Sequence, residues 1–245
     1  YVPASDTYIE KDAAINEEIE KLRHKATASL FMRRDVVIVA SVSCIYGLGT
    51  PESYYGMMVQ LRKGETQDQR QVLRKLVDIQ YARSTATLDR GQFRVRGDVL
   101  DIFPPYEERI LRVGWFGDEV ESIEYVDPVT GNVVEKVEDA PVFPRSHYVA
   151  SPERLHKSIA AVREELDSRL KTLHDAGRIL EAQRLDQRTR FDMEMLSELG
   201  YCSGIENYSR HLEARAAGTP PCTLLDFFPK DGVVFLDESH VSLPQ

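Results

Sequence analysis

Asp35-Val36-Val37-Ile38-Val39-Ala40, running into Ser41-Val42-Ser43-Cys44-Ile45-Tyr46-Gly47-Leu48-Gly49, is the stretch on which the fold class turns. Consecutive apolar residues without polar alternation predict a strand buried on both faces, as in a parallel sheet covered by helices. The small and polar residues after it predict the turn at the strand's C-terminal end, where open α/β sheets place ligands. Val233-Val234-Phe235-Leu236 repeats the pattern and runs into Asp237-Glu238-Ser239-His240. Upstream, residues 13–32 predict a helix. Ala14, Ile15, Ile19, Leu22, Ala26 and Leu30 form its apolar stripe, with acidic residues early and Arg33 and Arg34 late. Residues 1–9 predict a short edge strand, and Pro51 opens another helix. The class is therefore α/β, part of a parallel-sheet domain.

Two segments interrupt that domain. Val72, Leu73, Leu76 and Ile79 predict one amphipathic helix, and short alternating strands with turn signals follow it. Phe93 and Val95 alternate with Arg94 and Arg96, and Gly117-Asp118, Asp127-Pro128 and Gly131-Asn132 punctuate the rest. This is an antiparallel meander in an inserted α+β domain that ends near Pro144. Residues 152–199 predict two helices, with Gly177 closing the first as a C′ glycine.

Composition narrows the function classes. A chain of 245 residues with 42% hydrophobic and 29% charged residues is globular and long enough for two modest domains. A net charge of −9 argues against a broad basic surface that grips nucleic acid unaided. No apolar run approaches the ~18 residues of a membrane-spanning helix. Three widely spaced cysteines, Cys44, Cys202 and Cys222, fit a reducing, cytoplasmic compartment with no disulfide framework. The chain opens on Tyr1 with no signal-peptide pattern, so its start is read as a cut inside a longer protein.

Four constellations carry chemistry. Val-Val-Phe-Leu-Asp-Glu-Ser-His at 233–240 has the Walker B pattern: Asp237 would hold Mg²⁺ through water and Glu238 would polarise the attacking water. A solvated acidic strand end reads equally well. No Gly-x-x-x-x-Gly-Lys-Ser/Thr loop accompanies it, so the chain alone is expected to hydrolyse no ATP. Arg90, Arg94 and Arg96 share one parity, with Arg83 upstream, which suits a docking surface or an ordinary charged sheet face. Tyr1, Tyr8 and Lys11 suit base stacking and phosphate contact, or plain strand packing. Gly200 to His211 is dense in small and ionisable residues, and nothing local activates Cys202 as a nucleophile.

Six segments carry a resemblance: Ala-Ser-Asp-Thr-Tyr-Ile-Glu-Lys-Asp at 4–12, Val-Ala-Ser-Val-Ser-Cys-Ile-Tyr-Gly-Leu-Gly at 39–49, Phe-Arg-Val-Arg-Gly-Asp at 93–98, Glu-Ala-Gln-Arg-Leu at 181–185, Gly-Tyr-Cys-Ser-Gly-Ile-Glu-Asn-Tyr-Ser-Arg-His at 200–211 and Asp-Glu-Ser-His-Val-Ser-Leu-Pro-Gln at 237–245. In order and end to end, they resemble the UvrB family, the damage-verifying component of bacterial nucleotide excision repair. The resemblance implies an internal fragment of a helicase-like P-loop protein. Residues 1–61 would be the end of the DNA-inserting β-hairpin and part of the first helicase-like domain. Residues 62–145 would dock UvrA, 146–218 would form a helical hairpin beside the DNA path, and 219–245 would return to the Walker B strand.

The resemblance implies site roles as well. Arg83, Arg90, Arg94 and Arg96 would contact UvrA, and Arg94→Glu with Arg96→Glu would weaken docking with the fold intact. Tyr1, Tyr8, Lys11, Ser43, Tyr46, Arg188 and Glu206 would lie along the DNA. ATP and Mg²⁺ would serve the whole protein, a DNA-dependent ATPase, without binding this chain tightly. UvrA would load the protein on damaged DNA, and UvrC would then be recruited to incise. Two alternatives stand beside this reading: the UvrA-docking module of a transcription–repair coupling factor, and a pure interaction scaffold. The segments at 4–12, 200–211 and 237–245 follow the UvrB pattern rather than the former.

Overall fold

The structure is a computed structural model that describes residues 17–243. These divide into two compact units, one of residues 17–149 with 220–243 and one of residues 150–219. The expected strand at 1–9 lies outside the described residues.

The larger unit begins with α1 (Glu17–Met32). Its buried face is His24, Thr27 and Ala28, while Ile19 and Leu22 are exposed. The early part of the apolar stripe read from the sequence is therefore exposed, while Leu30 at its end packs against the core. Thr27 goes inward with partners, its hydroxyl 3.0 Å from the His24 carbonyl and 3.1 Å from His147 Nε2; the His24 ring stacks on His147 at 4.0 Å, and its Nδ1 is buried without a hydrogen-bond partner. Tyr54 and Phe143 continue the column of stacked rings. These rings, with Leu48, Tyr106, Leu224 and Phe227, form one of the unit's cores. Next comes α2 (Pro51–Gly56), with Pro51 in its first turn and Thr50 Oγ1 accepting from Ser53 N.

Neither stretch expected as a buried parallel strand is a strand. Residues 36–40 and 233–236 belong to no strand or helix among the described residues. Val37 and Val39 are 91% and 96% exposed, and Phe235 is 91% exposed. An apolar run records a preference for burial. It becomes a strand only where another strand supplies hydrogen bonds, and the two sheets present lie elsewhere.

Those sheets form the inserted α+β region. β1 (Val59–Arg62) pairs antiparallel with β8 (Asp139–Val142). Between them lies α3 (Gln69–Asp78), whose cap Asp68 accepts from Arg70 N. A six-stranded sheet follows, with β2 (Ala82–Arg83), β3 (Gln92–Arg96), β4 (Val99–Phe103), β5 (Ile110–Phe116), β6 (Glu119–Val126) and β7 (Val133–Lys136) in sequential order. All pairs are antiparallel except β2 with β3. The meander is as the alternation predicts. Val95, Leu100, Val113 and Ile123 share one cross-strand row, and with Phe93, Ile102 and Val120 they bury one face against Val72, Leu76 and Ile79. Full burial of each such side chain contributes about 1.5–3 kcal/mol.

The smaller unit is an αα-hairpin of α4 (Pro152–Asp175) and α5 (Ile179–Leu199). Gly177 ends α4 at φ +72°, with Gly177 N donating to His174 O and Arg178 N to Leu173 O. That is the pair of bonds of a Schellman motif, as the C′ glycine reading expects. Ile159, Val162, Leu166 and Leu173 face Ala182, Met193 and Leu196. Gly200 closes α5 in the left-handed conformation, and the short α6 (Ser209–Leu212) packs back on α4. The chain's last described element is α7 (Ser239–Ser242).

Candidate protein-docking interface

One face of the six-stranded sheet is core, and the pleat sends the alternate residues out. Along one outward row the register aligns Arg94, Asp101, Arg112, Glu124 and Lys136 across β3 to β7. Charge alternates in sign from strand to strand, the arrangement that cross-strand pairing favours. Arg94 Nη2 donates to Asp101 Oδ2 at 2.9 Å, Arg112 Nε to Asp101 Oδ1 at 2.7 Å, and Lys136 pairs with Glu124 at 3.1 Å. Asp101 is 3% exposed. Burial pushes its carboxyl up, but hydrogen bonds and charge from Arg112 and Arg94 outweigh that and hold it below the usual carboxylate range.

The four arginines singled out from the sequence are not equivalent. Arg83 and Arg96 are exposed and make no hydrogen bond or ion pair among the described residues. Arg83 registers with Phe93, one position out of phase with Arg94 and Arg96. Arg90 precedes β3; its guanidinium lies over the Phe103 ring at 5.2 Å, and its Nε donates to Glu107 O at 3.3 Å. Arg94 is locked on Asp101, and its Nη1 donates to Ala86 O at 3.0 Å. This geometry argues against the expectation that Arg94→Glu with Arg96→Glu leaves the fold intact. A carboxylate there would face a buried Asp101 and strip it of one of two partners.

Parity alone reveals the arginines. Asp101, Arg112, Glu124 and Lys136 escape it, because a row across strands is visible only once the register is known.

The other expected site residues lie apart. Ser43 is exposed in the turn after residue 41, where its hydroxyl lies 3.0 Å from that of Ser41. Tyr46 is half exposed, and Arg23 Nη2 donates to its carbonyl at 2.6 Å. In the smaller unit, Arg188 donates to Asp192 at 2.9 Å and to Ser203 O at 3.0 Å, and Glu206 is exposed. Cys202 is buried, and burial with the Asp192 charge pushes its thiol up to about 12, the opposite of nucleophile activation. Tyr1, Tyr8 and Lys11 fall outside the described residues. A cavity of about 210 Å³ opens beside α4 and α5, but the Glu165, Arg210 and His211 that line it pair with one another.

Asp237 and Glu238 are exposed, and Asp237 Oδ1 accepts the Glu238 N–H at 2.9 Å. Glu238 stands at φ +47° and lies 3.3 Å from His240 Nδ1. Two oxygen donors suit a hard cation such as Mg²⁺. A second donor set, Glu20, His24 and His147, has its ligand atoms within 4.8 Å of one another. Its geometry opposes a metal. The rings are parallel to within 6°, so their in-plane lone pairs do not converge; Glu20 is paired with Arg23 at 2.8 Å, and the charges of Arg23 and Arg145 act on His24.

The chain thus holds an α+β unit whose sheet buries one face and lines the other with charge, and a separate helical hairpin with its own core. Residues 59–148 match the UvrB interaction domain, and residues 153–214 match the UvrB third helical domain. UvrABC system protein B of Microcystis aeruginosa is 56% identical over 245 residues, all of this chain and 37% of the relative. The proteins of that name from Caldicellulosiruptor bescii (56% identical, 37% of its length) and Mycobacterium tuberculosis (54%, 34%) also match over all of this chain. The chain belongs to the UvrB family, and it spans a little over a third of these curated relatives.

Proposed function

We propose that this chain is the part of a nucleotide excision repair protein that docks UvrA, through the outward face of the six-stranded sheet. The observation that carries this is the exposed, unpaired guanidinium of Arg96 on the outward face, with that of Arg83 on the sheet's edge strand β2, on a sheet whose neighbouring outward charges neutralise one another. Unpaired arginines on an ordered scaffold are preorganised to take a partner's carboxylates. The match to the UvrB interaction domain covers that sheet.

In the whole protein, UvrA loading would be followed by damage verification on DNA and recruitment of UvrC. Ser43, Tyr46, Arg188 and Glu206, with Tyr1, Tyr8 and Lys11, would face the DNA. Asp237 and Glu238 would serve ATP and Mg²⁺ alongside a phosphate-binding loop supplied from elsewhere. Titration calorimetry of this chain against UvrA tests the docking step. Micromolar or tighter binding that Arg83→Glu with Arg96→Glu abolishes supports it. Binding unchanged in that variant, with circular dichroism confirming the fold, refutes it. Each lost pair weakens binding by under about 1 kcal/mol at a wet rim and by a few kcal/mol where desolvated.

A further inference from the structure

Resting on the docking reading above, we propose that Arg94 is a positioning residue: it never meets the partner, but fixes the loop of residues 84–91 that carries Arg90 and follows Arg83.

Arg94 is turned away from a partner: its Nη1 and Nη2 are taken within the fold, and its one unpartnered donor, Nε, is buried. Its side chain is 15% exposed, one nitrogen is on Asp101 and a second is on the carbonyl of Ala86. Reaching outward would leave Asp101, whose side chain is 4% exposed, with Arg112 as its remaining ion-pair partner. Breaking one side of a buried pair is far more costly than a rim contact is favourable.

The bond to Ala86 connects this pair to the loop. Its first residue is held by Ser84 N donating to Phe93 O at 2.9 Å and Ser84 Oγ to Thr87 O at 2.6 Å. Leu88 packs against Phe103, Ile110 and Val126, a small apolar patch on the outward face. Arg90 covers the Phe103 ring of that patch. The loop is thus seated at three points, Ala86, Leu88 and Arg90, and Arg83 directly precedes it. A planar guanidinium is the side chain that serves a carboxylate and a carbonyl from one rigid fork. Lysine, a single point charge, keeps the pairing with Asp101 but not both bonds at once.

The test compares Arg94→Gln, Arg94→Lys, Arg83→Gln and Arg96→Gln in the full chain. One readout is hydrogen exchange of residues 84–91 without partner. The other is affinity for UvrA across a salt series. Arg96→Gln is expected to weaken binding by about fivefold, flatten its salt dependence and leave loop exchange unchanged. Arg94→Gln is expected to speed loop exchange and weaken binding while the salt dependence stays as steep as in the parent. Arg94→Lys, which retains charge and fold, is expected to restore neither loop protection nor affinity.

The proposal is overturned if Arg94→Gln flattens the salt dependence as Arg96→Gln does with loop exchange unchanged, or if Arg94→Lys restores full affinity. If Arg94→Gln fails to fold, Arg94→Lys decides alone. Unchanged affinity in both Arg83→Gln and Arg96→Gln sinks the docking reading and this proposal with it. Slow loop exchange in Arg94→Lys sinks the positioning role and leaves docking standing.

Discussion

Asp101 and the His24–His147 pair put ionisable groups in the interior by opposite means. Asp101 stays charged because two guanidiniums replace its water. Asp101→Asn removes that charge and leaves Arg94 and Arg112 to repel each other; the expected loss is about 3–5 kcal/mol in a chemical denaturation curve. The histidines instead stay neutral. Burial, helped by the charges of Arg23 and Arg145, brings His24 down to about 3, and burial with His24 and Arg23 takes His147 well below its usual value. A depressed histidine binds its proton in the unfolded chain first. Below about pH 6.5 the unfolded state gains protons that the fold refuses, so stability falls as pH falls. Each histidine contributes up to about 1.4 kcal/mol per pH unit in that window. A thermal unfolding series from pH 7.5 to 5 is expected to show a declining midpoint that His24→Gln makes shallower. A midpoint independent of pH in the parent would contradict neutral burial.

At the scale of elements, legibility followed how local the cause was. The α4 stop depends on six residues in a row, Leu173 to Arg178, and Gly177 announced it. Nothing lies within 4 Å of a Cβ placed on Gly177, so Gly177→Ala isolates the backbone term at φ +72°. The expected cost is about 1–2 kcal/mol, read as a lower melting midpoint of helical signal. No change would mean that the turn relaxes out of the left-handed region. The meander was equally readable, because Phe93 and Val95 alternate with arginines and the pleat has period two. The buried face of α1 was not. A hydropathy count cannot know that His147 will stack on His24, 123 residues away, and hydrogen-bond Thr27, 120 residues away. The charged sheet face was half readable: the arginines show in one strand, but Asp101 meets Arg112 only through the pairing of β4 with β5.

At the scale of the whole molecule, two forces set how copies of this chain behave toward each other. The net charge of −9 keeps them apart. The apolar segments at 36–40 and 233–236 oppose it, with Val37, Val39 and Phe235 each more than 90% exposed. Apolar patches of this kind promote association. Salt separates the two effects. Repulsion between copies is screened within about 8 Å at physiological ionic strength, and apolar contact is not weakened by screening. Sedimentation velocity is therefore expected to show self-association that grows as sodium chloride is raised. Val39→Lys with Phe235→Lys should abolish it, although the substitutions lower the net charge from −9 to −7 and so weaken the repulsion. Both side chains are almost fully solvated, so stability should shift by under about 0.5 kcal/mol. Association that persists in the double variant would place the contact elsewhere. Association that weakens with salt would make it electrostatic, with the alternating charges of the sheet as the surface to test next.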